Sequence, residues 1–121
     1  MSDFGAVIAG DIVVANWRDG LPREANKQRP AIVVEAPLFA AAFPNVILVP
    51  LTDDPGLTIP GLTVPIQPTA ENGCTKPSWA LAYNVTATSK ARLRRTPSRV
   101  TAEQLSDIRR QIAVAVGAIE P

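Results

Sequence analysis

Residues 10–35 read GDIVVANWRDGLPREANKQRPAIVVE. An apolar run gives way after Trp17 to a loop dense in charge, with Arg18, Asp19, Arg23, Glu24, Lys27 and Arg29, and apolar residues resume after Pro30. Two strands joined in this way have far more connection than the two-residue turn that would close a hairpin. Long polar loops on a rigid sheet are where binding and chemistry concentrate. The stretch therefore points to a sheet of short strands and to the place where function is to be sought.

Outward from it, the pattern predicts strands at Asp11–Trp17 and Ala31–Glu35, and a short helix over Pro37–Phe43 with proline at its start. NVILVPLT (Asn45–Thr52) is a β-branched run that reads as a central strand ending at Pro50. DDPG (Asp53–Gly56) is a turn signal, and LTVPIQP (Leu62–Pro68) alternates as a strand that Pro65 confines to an edge or bulge. SWALAYNV (Ser78–Val85) reads as the next strand, after the loop TAENGCTKP, and a last short strand is expected near Arg92–Arg95. TAEQ (Thr101–Gln104) is a capping box, followed by Leu105, Ile108, Ile112 and Val116 at helical spacing, with Arg109 and Arg110 off that stripe. Sequential short strands with Pro- and Gly-rich turns and one closing helix predict a mainly β protein of the α+β kind. The expected form is a small, curved antiparallel sheet or barrel with a C-terminal packing helix. At 121 residues the chain fits one domain, 1–121.

Composition narrows the function classes. Apolar residues at 46% and charged residues at 19% are the balance of a folded domain rather than a disordered one. The formal net charge of +1 leaves the distribution of charge to decide about partners. One cysteine, Cys74, excludes an internal disulfide and suits a reducing cytoplasm. The first residues lack the basic, apolar pattern of a signal peptide, and no run of about 20 apolar residues spans a membrane. The sequence contains no histidine, which excludes histidine-based triads, a two-histidine ribonuclease mechanism and most zinc sites. No metal or other cofactor is expected, and any catalysis must run on Arg, Lys, Asp, Glu, Ser, Thr or Tyr.

Two segments concentrate cations: the opening loop, and KARLRRTPSR with Lys90, Arg92, Arg94, Arg95 and Arg99. Asp53, Asp54 and Glu71 leave other surfaces acidic. Such patches attract phosphate backbones or acidic peptides, although a solvated face is their commonest meaning. Arg29 is held extended by the proline after it, and its planar guanidinium suits two phosphate oxygens. Thr52 ends the central strand, and Glu24 supplies a carboxylate in the loop. A carboxylate, a guanidinium and a hydroxyl suffice for phosphodiester cleavage without metal, though each also has an ordinary structural use.

The order of the pieces resembles the MazF/PemK family of toxin–antitoxin ribonucleases. GDIVVANW, a charged loop with Glu24, RPAIVVE, NVILVPLT, SWALAYNVTATSKARL and a C-terminal helix follow one another from about Gly10 to Gly117. Gly10-Asp11, Arg29-Pro30 and Pro50-Leu51-Thr52 are the most specific matches. The resemblance implies a curved SH3-like β-barrel and a homodimer. It implies metal-independent cutting of single-stranded RNA at short sequences, leaving a 2′,3′-cyclic phosphate and a 5′-hydroxyl, and a cognate antitoxin that blocks the RNA groove. Arg29, Thr52 and Glu24 match the family's active-site arginine, threonine and loop glutamate, and Arg23 and Lys27 of the same loop, with Tyr83, Asn84 and Thr86, are expected to bind RNA. The loop departs from the family's Gly-Ser-Glu-Gln, being longer before Glu24 and stiffened by Pro22. Tyr83, Asn84 and Thr86 stand where many members have an acid-Gln pair and an arginine lining the RNA groove. There Tyr83 can stack a base or serve as a half-buried strand aromatic. Two other readings share the fold: a CcdB-type gyrase poison, whose C-terminal aromatic is missing from VGAIEP here, and a barrel that binds RNA or protein without cutting.

Overall fold

The computed structural model describes residues 7–16, 28–36 and 43–121. Arg23, Glu24 and Lys27, and the helix expected at Pro37–Phe43 except for its last residue, lie outside the described residues. Among the described residues, seven strands and one α-helix follow in order: β1 (Asp11–Asn16), β2 (Gln28–Val33), β3 (Asn45–Thr52), β4 (Thr63–Ile66), β5 (Ser78–Leu81), β6 (Thr86–Ser89), β7 (Leu93–Arg99) and α1 (Ala102–Ala115). All ladders are antiparallel, in the order β4-β5-β3-β2-β1-β7, with β6 also paired to β3. Among the described residues no ladder joins β4 to β7, so the mainly antiparallel, curved sheet stays open rather than closing into a barrel.

β3 organises the sheet because it changes partner along its length. Asn45–Leu48 pair with β6, whereas Leu51 and Thr52 pair with β5. Pro50 falls in the interval between these two ladders, where its missing N–H leaves no rung broken. For that reason the strand runs through Pro50 to Thr52 instead of stopping there. Pro65 is tolerated on the same principle, since among the described residues β4 is an edge that pairs with β5 alone.

Strand alternation divides the apolar side chains between two faces. One buried cluster gathers Ile12, Ile32, Val34, Val49, Leu51, Val64, Ile66, Ala80, Val100 and Ile108. The other gathers Val7, Val13, Ala15, Ala31, Val33, Val46, Leu48 and Leu93. Helix α1 covers the first. Its capping box is formed as predicted: Thr101 Oγ1 accepts from the Gln104 N–H at 3.0 Å, and Gln104 Oε1 accepts from the Thr101 N–H at 2.9 Å. Ile108 is fully buried, with Leu105 and Ile112 packed beside it. Val116, the last residue of the expected stripe, is 65% exposed because the helix has ended. Arg109 reaches back from the helix, donating from Nε to the Val34 carbonyl at 3.1 Å and from Nη2 to the Glu35 carbonyl at 3.2 Å.

Other boundaries move for identifiable reasons. The strand expected over Ser78–Val85 stops at Leu81, and Ala82–Asn84 form a 3₁₀ turn before β6 begins. β7 extends to Arg99 because its charged residues sit exposed on an edge strand. Gly10, with φ 94°, turns the chain into β1. Its N–H donates to the Val33 carbonyl at 2.8 Å and its own carbonyl accepts from Val100 at 2.9 Å, tying β1, β2 and the approach to α1 together. No helix among the described residues is long and apolar enough to cross a membrane.

Candidate active site

Register brings the two strongest sequence candidates together. β2 and β3 pair as Val33 with Leu48, Ile32 with Val49 and Ala31 with Pro50. Arg29 and Thr52 stand two residues beyond the last pair, at the same end of this ladder. Both line a cleft of about 350 Å³. Its remaining walls come from Ile12 and Val14 of β1, from Pro30, Leu51 and Asp53, from the Asn72–Lys76 loop with Ser78, and from Thr96 and Ser98 of β7.

Thr52 has a defined role at the end of β3. Its Oγ1 accepts from the Asp54 N–H at 3.1 Å, which fixes the oxygen and leaves its proton to donate. Asp54 in turn accepts from the Gly56 N–H at 2.8 Å and caps the 3₁₀ turn Pro55–Leu57. Asp53, expected on an acidic surface, instead faces Lys76 across 3.5 Å at the cleft. Both partners are largely in solvent, so the pair contributes about 0–1 kcal/mol to stability. The described charges of the cleft are thus two cations, Arg29 and Lys76, against one carboxylate.

The loop opposite Thr52 is pinned by Asn72, which is 4% exposed. Asn72 Oδ1 accepts from the Thr69 N–H at 3.0 Å and the Cys74 N–H at 2.9 Å, while Nδ2 donates to the Gln67 carbonyl at 2.7 Å. Burial pushes the Cys74 thiol up from its ordinary value, and a hydrogen bond with Ser78 opposes this more weakly. A thiol so placed stays protonated at neutral pH and is no nucleophile. Among the described residues, no group of three or more His, Cys, Asp or Glu side chains could hold a metal ion.

Family comparison gives this cleft its context. A model of the PemK-like, MazF-like toxins of type II toxin–antitoxin systems matches residues 8–116. The chain belongs to this family. The PemK/MazF match runs from the approach to β1 to the end of α1 and so contains every strand of the sheet. Solved structures agree in fold. An endoribonuclease in complex with its cognate antitoxin, from a mycobacterial species, superposes with a TM-score of 0.75 at 19% identity, covering 95% of this chain and 99% of that one. MazF from Deinococcus radiodurans gives 0.74 at 18% identity, covering 92% and 96%. The Mycobacterium tuberculosis toxin MazF-mt6 gives 0.67 at 22%, covering 88% and 96%. No curated protein matches the sequence.

Of the residues predicted for this PemK/MazF site, Arg29 and Thr52 share the cleft, whereas Glu24, Arg23 and Lys27 lie outside the described residues. Tyr83, Asn84 and Thr86 are not among the lining residues. Tyr83 is half-buried, and its hydroxyl donates to the Leu57 carbonyl at 2.8 Å. Asn84 and Thr86 are exposed. Lys76, Asn72 and Ser98 were not singled out by sequence reasoning. The one local signal was the Asn72-Gly73 dipeptide, which marks a turn but not what the turn faces.

Proposed function

We infer that this protein is a metal-independent endoribonuclease toxin that cuts single-stranded RNA by attack of the ribose 2′-hydroxyl. The observation that supports the reading is that Arg29 and Thr52, at one end of the β2–β3 ladder, line the same cleft. The 2′-oxygen bonds to phosphorus and gives its proton to a carboxylate, for which Glu24 is the candidate. Arg29 stabilises charge developing on the non-bridging oxygens, and Thr52 donates a hydrogen bond to the phosphate. The bond to the 5′-oxygen breaks and that oxygen takes a proton from water, leaving a 2′,3′-cyclic phosphate and a 5′-hydroxyl. A cognate antitoxin neutralises the toxin, a homodimer is its working form, and the cytoplasm is its site of action. The solved relative described above as a complex with its cognate antitoxin supports that partner class.

The test is purified protein on a pool of long single-stranded RNAs with EDTA present, beside Arg29→Ala, with the new 5′ ends mapped. Discrete cuts bearing 5′-hydroxyls, reduced about a hundredfold or more in the variant, support the reading. Intact RNA from folded, antitoxin-free protein overturns it, and retarded but uncut RNA assigns a binding role instead.

A further inference from the structure

Lys76 lies in the same cleft as Arg29 and Thr52, delivered by a loop whose backbone is held far more firmly than the lysine itself. Asn72, buried at 4% exposure, bonds to Thr69, Cys74 and Gln67 around the turn. Gly73, at φ 67°, lies so close to β7 that a β-carbon there would stand 2.5 Å from Ser98 Oγ. The lysine side chain, by contrast, is 72% exposed and, among the described residues, pairs with a half-exposed carboxylate, Asp53. An ion pair so wet is readily exchanged for another anion. A pinned backbone carrying an exposed ammonium into the cleft that Arg29 also lines suits a strand that presents phosphates in succession. Lysine binds phosphate as a compact point charge and needs no fork geometry.

We propose that Lys76 is a second phosphate-binding cation of this cleft, which leaves Asp53 for a phosphate next to the one held by Arg29 and Thr52. The proposal rests on the reading of the cleft as a single-stranded RNA site. Asp53 is then the internal competitor: it occupies Lys76 in the empty cleft and is displaced as the strand enters.

The test measures binding of a fluorescent single-stranded oligodeoxynucleotide, which lacks the attacking 2′-hydroxyl and so stays intact, at a series of salt concentrations. Each phosphate contact contributes about 0.7 to the slope of log affinity against log salt for a single strand. Lys76→Gln is expected to lower that slope by about 0.7, Lys76→Arg to restore it, and Asp53→Asn to tighten binding with the slope kept. In the Asp53→Asn background, Lys76→Gln must still remove the same slope. On cleavable RNA, Lys76→Gln raises KM and leaves kcat nearly unchanged, as loss of uniform binding does. Should the wild-type protein bind while Lys76→Gln keeps the full slope, Lys76 is a surface ion pair, and the ribonuclease reading stands without it. A slope loss that vanishes once Asp53 is removed also overturns the proposal, because Lys76 then serves only to neutralise that carboxylate. If the wild-type protein neither binds the deoxy strand nor cuts RNA, the RNA reading falls and this proposal with it; RNA cut with KM unchanged in Lys76→Gln overturns the proposal alone.

Discussion

Thr52 uses one oxygen in two directions, accepting from the Asp54 N–H while its proton remains for a ligand. Thr52→Val removes both functions and keeps the shape, so RNA cleavage is expected to fall about a hundredfold or more, as when an oxyanion donor is lost. Thr52→Ser keeps the hydroxyl and should stay within about tenfold of wild type by the same reasoning; kcat/KM on one short RNA compares the two. Gly73 offers a purely structural counterpart. Its φ of 67° lies in the left-handed region, and a β-carbon there would press on Ser98 Oγ. Gly73→Ala is therefore expected to cost about 1–3 kcal/mol in urea unfolding. Adding Ser98→Ala removes the Oγ contact, so the double variant should recover part of the loss. If it recovers nothing, backbone strain alone accounts for the cost.

At the level of elements, α1 is the part whose local chemistry is most nearly complete in the sequence. Thr101→Ala breaks one half of the capping box and should lower stability by about 1 kcal/mol, read from the urea midpoint with the slope unchanged. The cap and the Leu105–Ile108–Ile112 stripe were legible because a helix advertises itself through contacts within its own few turns. β3 was legible as a β-branched run, but its passage through Pro50 was not, since that depends on where β5 and β6 attach. β6, with the residues Thr-Ala-Thr-Ser, lacks any apolar alternation, so only its pairing with β3 makes it a strand. The site divides in the same way. Arg29 and Thr52 stand at the ends of strands that could be read, and register does the rest. Lys76 and Asn72 sit in a loop whose target is set by tertiary packing.

Across the whole molecule, one sheet buries side chains on both faces, so the two apolar clusters should rise and fall together. Val13 and Ile12, or Val33 and Ile32, are chain neighbours that belong to opposite clusters. Backbone shared at that spacing leaves no seam along which one face could unfold and spare the other. Leu48 and Ile108 provide the test, each fully buried and each in a different cluster. Leu48→Ala is expected to cost about 2–5 kcal/mol and the milder Ile108→Val about 0.5–1.5 kcal/mol, a choice that keeps the double variant folded. With no shared cluster between the two sites, the double variant should equal the sum within about 0.5 kcal/mol. Circular dichroism and tryptophan fluorescence should give one coincident transition at fixed protein concentration. Two separated transitions would mean that the helix-covered face is an independent folding unit. The cleft would then lose part of its rigid wall, because Ile12 and Leu51 of that same cluster line it together with Arg29 and Thr52.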